Sequence, residues 1–141
     1  MTCNDLATWL LRSRFSWMLG GGIMLVEVIG RKSGRTVRLP VNFLRDHSDL
    51  WVISSRGRVW WRNLKDHSQA VLWIGGKPIS ARGKLVLDDS VVMDRLARIC
   101  ASNNRMAQTL HVGLDEKKVP ITQDLQRVAR ERMFVRFIPV P

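Results

Sequence analysis

The sequence predicts an α+β domain built on a barrel or strongly curved sheet, and three observations carry that expectation. Short apolar runs recur at hairpin spacing through the first 87 residues, and clusters of Gly, Asn, Asp and Ser separate them. The long helical patterns come late, inserted before a last apolar run at residues 133–138. A doubly wound fold would instead alternate strand and helix from the start. The length of 141 residues is that of a single domain with room for a sizeable core.

The elements follow in order. Asn4 or Asp5 can cap a first helix with Leu6, Trp9, Leu10 and Trp17 on one side, and Arg12 and Arg14 off that stripe. Such a helix either packs on the domain or, as a basic amphipathic segment, rests on a membrane surface. Gly20-Gly21-Gly22 ends it, and Ile23 to Ile29 reads as the first strand. The next run, Val37 to Arg45, contains Pro40, which suits an edge or a bulge. Asp46-His47-Ser48-Asp49 is a turn before the compact strand Leu50 to Ser54. Trp60 to Lys65 has the composition of one or two helical turns. Ala70 to Ile74 and Ile79 to Leu87 form a hairpin closed by Gly75-Gly76-Lys77-Pro78.

Beyond that point the pattern changes. Asp88, Asp89 or Ser90 can cap a helix that places Val92, Leu96, Ile99 and Cys100 on one face. Residues 102–120 read as loop with some helical turns, and Thr122 opens a helix carrying Leu125, Val128 and Ala129. Met133 to Ile138 is the closing strand, expected to pair back into the sheet. The total is about six mainly antiparallel strands, with helices inserted before the last.

Charge narrows the partners. The chain carries 23 Lys and Arg against 12 Asp and Glu, a net of +11, and the first 87 residues hold 14 of those cations with only 5 acids. That implies an anionic partner: nucleic acid, an acidic membrane surface or a multiply charged cofactor. Two cysteines, Cys3 and Cys100, build no disulfide framework, so a reducing cytoplasm is expected. The longest uncharged stretch, Phe15 to Val26, is twelve residues, too short to span a bilayer, and it has no signal-peptide cleavage site.

The basic excess is densest at Gly30-Arg31-Lys32-Ser33-Gly34, between the first two strand runs, with Arg35 and Arg38 just after. Two glycines let the turn take positive φ, and a guanidinium fork, an ammonium and a hydroxyl together suit an anionic oxygen cluster. A hairpin turn with solvated charges fits the same letters. It is not a phosphate-binding Walker loop, because a strand rather than a helix follows. His47, His67 and His111 have no ligand spacing, so no metal site is expected. No serine sits in a nucleophile elbow and no carboxylates pair, so the chemistry of an enzyme here would come from a bound cofactor. Trp60-Trp61-Arg62-Asn63-Leu64 is either a stacking platform or one core indole beside a partly exposed one.

Taken together, the strand leading into Gly30-Arg31-Lys32-Ser33-Gly34, Pro40 in the next strand, Ile53-Ser54-Ser55, Trp60-Trp61-Arg62-Asn63-Leu64 and the run Val71 to Lys77 resemble the deazaflavin-dependent nitroreductase family, of the FMN-binding split-barrel fold. The likeness covers residues 20–87 well and the first helix and last strand loosely. It implies a split β-barrel that holds coenzyme F420, with FMN as the alternative. Arg31, Lys32, Ser33, Gly34 and Arg38 would grip the phosphate and acidic tail, while Ser54, Ser55, Trp60 and Asn63 would lie by the deazaflavin ring. The implied reaction is hydride transfer to a nitro compound, quinone or activated alkene, a small hydrophobic acceptor. The fold also implies a homodimer as one assembly, and no nucleic-acid partner is expected. Two other readings stay open: a non-catalytic carrier of a flavin or fatty acid, and a basic nucleic-acid-binding barrel using Trp60 and Trp61 for stacking, with Arg56, Arg58 and Arg62 on phosphates.

Overall fold

The computed structural model describes residues 22–30 and 32–140. The expected first helix and Arg31 therefore lie outside the described residues. The chain forms β1 (Ile23–Ile29), β2 (Thr36–Asn42), β3 (Leu44–Asp46), β4 (Asp49–Ser55), a 3-10 helix (Trp60–Lys65), β5 (Gln69–Ile74) and β6 (Lys77–Val86). Three helices follow, α1 (Asp89–Ser102), α2 (Asn104–Thr109) and α3 (Thr122–Glu131), and then β7 (Arg132–Pro139).

The strands make one seven-stranded sheet in the order β2-β1-β5-β6-β7-β4-β3. One strand more than expected arises because the run Val37 to Arg45 breaks at Phe43. Phe43 is buried, and its N–H still continues the β1–β2 register, donating to the carbonyl of Gly22 at 3.0 Å; from Leu44 the chain pairs with β4 instead. The break has a topological consequence. β2 and β3 are the two edges of the sheet, yet a single residue separates them along the chain. A flat sheet of this many strands would hold its edges roughly 29 Å apart at about 4.8 Å per gap. One connecting residue spans only about 7 Å. The sheet must curl until its edges approach, which is a split barrel. Pro40 sits on β2, the edge strand its missing N–H calls for.

By proximity the chain divides into two compact units. One takes the residues up to Ile53 with Arg58–Leu85 and those from Val135 on; the other takes Ser54–Gly57 and Val86–Phe134. In the first, β1 alternates as a half-buried strand should: Met24, Val26 and Val28 are buried, while Leu25 and Glu27 between them are only half-buried. The β5–β6 hairpin turns on Gly75 and Gly76 at φ 58° and 80°, the left-handed pair a type I′ turn needs. Gly83 is required for a different reason, since a Cβ there would stand 3.0 Å from Leu64 and 3.1 Å from Phe137.

In the second unit α1 packs on α2 and α3. Val92, Leu96 and Cys100 form its buried stripe, and Leu125, Val128 and Ala129 form that of α3. Asp88 caps α1, accepting from the Ser90 amide at 2.9 Å and from the Val91 amide. Together with the Ser90 hydroxyl, these donors hold its carboxyl below the usual carboxylate range. The stretch expected to be irregular contains α2 and a turn organised by Asp115, whose Oδ1 accepts from the amides of Lys117 and Val119 at 2.9 and 2.8 Å. Among the described residues no helix is long and apolar enough to cross a membrane.

Candidate functional site

The β1–β2 turn is fixed by its two glycines. The Gly30 amide donates to the Arg35 carbonyl at 2.7 Å, and the Gly34 amide donates to the Gly30 carbonyl at 2.8 Å. Gly34 holds φ 69°, and a Cβ on Gly30 would stand 3.0 Å from Ser33 Oγ and 3.1 Å from the Arg35 carbonyl oxygen. Ser33 Oγ accepts from the Arg35 amide at 3.2 Å, closing the turn from within. Lys32, Ser33, Gly34 and Arg35 are all exposed. Neither Lys32 nor Arg35 forms an ion pair among the described residues. Two cations therefore stand a few residues apart with no carboxylate between them, and an anion entering the turn would relieve their repulsion. Arg35 belongs to this cluster although the site expected from sequence left it out; its place next to Gly34 was the available signal.

Arg38 is placed elsewhere. It sits on β2 opposite Glu27, and its Nε donates to the Glu27 carboxylate. Its guanidinium also lies 5.9 Å from the centre of the Trp73 ring. The structure thus sets Arg38 in an ion pair on the sheet, two residue pairs from the turn, and leaves Lys32 and Ser33 in the turn itself.

Trp60 and Asn63 come together on the 3-10 helix, but as buried groups, 8% and 7% exposed. The Asn63 side-chain amide donates to the Trp60 carbonyl at 3.0 Å, and the Asn63 carbonyl accepts from the His67 amide at 3.1 Å, so Asn63 braces its own helix. Trp61 is buried as well, contrary to the expectation of one core and one partly exposed indole. The reason is local. Arg62 and Lys65 fold back to within 5.3 and 5.6 Å of the Trp61 ring centre and cover it. The stacking surface a nucleic-acid barrel would draw from this pair is not exposed.

Ser54 and Ser55 end β4, in the second compact unit. Ser54 is buried and its hydroxyl donates to the Ser55 carbonyl at 3.3 Å; Ser55 Oγ accepts from the Gly57 amide at 3.3 Å. Between them and Gly57 stands Arg56, whose guanidinium is held by backbone. Its Nε donates to the carbonyls of Ala129 and Arg132 at 3.1 and 2.8 Å. One terminal nitrogen donates to the Leu87 carbonyl at 3.0 Å and to the Asp89 carboxylate at 2.8 Å.

Among the described residues no group of His, Cys, Asp or Glu could hold a metal ion. Cys100 is fully buried, and burial pushes its thiol up to about 11, which leaves it unsuited to nucleophilic work. Among the described residues, the exposed cations of the turn can bind and orient an anion.

A family model described as F420H(2)-dependent quinone reductase matches residues 13–123. No curated protein sequence matches the chain. Among solved structures, a pyridoxamine 5'-phosphate oxidase-like protein from Listeria innocua is similar at a TM-score of 0.57 and 12% identity, over 84% of each chain. A conserved hypothetical protein from Mycobacterium tuberculosis is similar at 0.55 and 11%, over 100% of this chain and 82% of the other. An FAD-binding protein from Mesorhizobium loti is similar at 0.53 and 10%, over 100% and 91%. At such identities these likenesses speak for the fold.

Proposed function

The chain belongs to the F420H(2)-dependent quinone reductase family, and from that membership we propose that it carries reducing equivalents from reduced coenzyme F420 to a quinone, with the β1–β2 turn holding the anionic part of the cofactor. The observation that supports this most directly is the pair of exposed cations Lys32 and Arg35, without an ion pair among the described residues, in a turn that two glycines frame. When bound, the cofactor supplies a hydride: F420H2 gives up two electrons and two protons in all, and a quinone gains them as a hydroquinone.

The protein's part is to bind and orient. Lys32 offers a mobile point charge and Ser33 a hydroxyl to phosphate or carboxylate oxygens, and Arg35 offers a planar fork. Arg31 shares their segment of sequence. Trp60 and Asn63, which the resemblance puts by the deazaflavin ring, are both buried. A nitro compound or activated alkene could accept the same hydride; the family match favours the quinone.

The test is a tryptophan-fluorescence titration with F420 beside FMN, followed by turnover of F420H2 with menadione, a nitroarene and an enone. F420 is expected to bind in the micromolar range or tighter, FMN more weakly, and menadione to be the fastest acceptor. Absence of F420-dependent menadione reduction would remove the proposal.

A further inference from the structure

We propose that the second compact unit holds a binding pocket of its own, for a small amphiphile with an apolar body and a single anionic head, and that Lys118 takes the head. The proposal is independent of the functional reading above. The pocket is a cavity of about 360 Å³, a volume at which small-ligand sites begin. Ala107, Val112 and Leu114 give it apolar walls, and Asn104 and Gln108 add two side-chain amides from α2. Among the described residues that line it, Lys118 alone is charged. Apolar walls favour entry of a hydrocarbon body from water, and a lone cation selects the sign of the head.

Hydrogen bonds set the walls without help from a ligand. The Gly113 amide donates to Asp124 Oδ2 at 2.9 Å, and the Gly113 carbonyl accepts from the Ile121 amide at 2.9 Å. The Val112 amide donates to the Ala107 carbonyl at 2.8 Å. In the turn that carries Lys118, the Asp115 amide donates to the Val119 carbonyl and the Asp115 carbonyl accepts from the Lys118 amide, both at 2.9 Å. The carboxylates of Asp115 and Asp124 serve backbone amides, and neither residue lines the pocket. Lys118 itself forms no ion pair among the described residues. Its backbone holds φ 63°, a left-handed conformation that glycine or asparagine adopts at less cost. A long cationic side chain at such a position, lining a cavity, points to use of the side chain. Just past it, Val119 and Ile121 stand 53% and 44% exposed, apolar surface that suits the tail of a ligand. The same head and tail are offered by a free amphiphile and by a lipid in a bilayer.

The experiment follows backbone amide shifts of the full chain by NMR during titration with decanoate, and with decyltrimethylammonium as the opposite charge. Lys118→Gly removes the cation and suits φ 63°, so the fold should survive it; Lys118→Asn is the second form of the same change. Gln108→Phe obstructs the pocket from an exposed position, and Lys84→Ala removes an exposed cation of β6 as a control. Decanoate is expected to shift the amides of Ala107, Val112, Leu114 and Lys118 saturably, with a dissociation constant of about 1 mM or below. Lys118→Gly and Gln108→Phe should each weaken it by about 10-fold, with no fall in melting temperature for Lys118→Gly, and Lys84→Ala should leave it unchanged. Decyltrimethylammonium should bind at least about 10-fold more weakly. Co-sedimentation with vesicles of phosphatidylglycerol and phosphatidylcholine separates the two sources. Decanoate binding joined by vesicle binding that Lys118→Gly reduces identifies the bilayer, and decanoate binding alone identifies a free amphiphile. Shifts that do not saturate or lie elsewhere, equal affinity for the two charges, or undiminished binding in Lys118→Gly and Lys118→Asn overturn the proposal. Vesicle binding without decanoate shifts overturns it too, since adhesion through the net charge of +11 would account for that result.

Discussion

The β1–β2 turn and the segment after β4 both carry exposed-looking arginines in the sequence, and the fold treats them in opposite ways. In the turn, Lys32 and Arg35 lie exposed and without a carboxylate among the described residues, so their charge is available to a ligand. After β4, Arg56 is surrounded by carbonyls of two helices' ends and its charge is neutralised within the protein. What separates the two is the supply of unpartnered backbone acceptors. The turn closes its own hydrogen bonds through Gly30 and Gly34, leaving nothing for a cation to satisfy. The end of α3 leaves carbonyls open, and a guanidinium is drawn to them. A net charge of +11 therefore overstates the surface that can meet an anion.

The largest expected effect lies on the open side of that comparison. Replacing Lys32 and Arg35 together by alanine should weaken F420 binding by about 100-fold or more, since each charged hydrogen bond is worth about 1.5–3 kcal/mol. The melting temperature should hardly move, because neither side chain has a partner among the described residues to lose. Raising the salt concentration should weaken wild-type binding in the same direction. Undiminished affinity in the double variant would mean that the turn is only a turn.

On the closed side the signature reverses. Arg56→Met removes a charged group from several carbonyls and should cost about 2–3 kcal/mol of stability, a fall in melting temperature of roughly 5–10 °C. Arg136→Met is the next step down. Arg136 donates to Asp49 at 2.7 Å and lies 5.6 Å from the centre of the Trp51 ring, but its side chain is 40% exposed. About 1 kcal/mol is expected there, read from urea unfolding. If Arg56→Met proved no more damaging than Arg136→Met, the contrast between free and captured cations would lose its second half.

How much of this was legible in advance follows the same line between local and distant causes. The β5–β6 hairpin, the Asp88 cap of α1 and the edge position of Pro40 were readable because each depends on neighbours in sequence: two glycines, an acid before an apolar stripe, a residue without an N–H. The break at Phe43 was not, because there the chain passes from pairing with β1 to pairing with β4, which are distant partners. The burial of Trp61 departs from that line: Arg62 and Lys65 are close in sequence, and the letters do not record that they fold back over the ring. In the site, the glycine frame and the cations of the turn were visible as a pattern. The fate of Arg56 depends on carbonyls at positions 87, 129 and 132, and nothing in the letters around it records them.

Arg38 stands between the two cases, and its test is the smallest and most discriminating. Its side chain is 54% exposed, like the cations of the turn, yet it is paired with Glu27, which is 18% exposed. Glu27→Gln would remove the carboxylate charge and keep the shape of the side chain. An ion pair this open contributes only about 0–1 kcal/mol, so the fold should barely respond. The response in binding depends on what Arg38 does. If it grips the cofactor's anion, as its place after the turn suggested, it must at present divide itself between Glu27 and the ligand, and releasing it should tighten F420 binding by about 2- to 5-fold. If it serves the sheet, held by Glu27 and stacked near Trp73, the released guanidinium gains freedom without gaining a ligand, and affinity should stay within error. Any weakening would contradict both, because the substitution only removes negative charge from the region an anion approaches. A titration of Glu27→Gln beside wild type at low and moderate salt therefore assigns Arg38 to one group or the other.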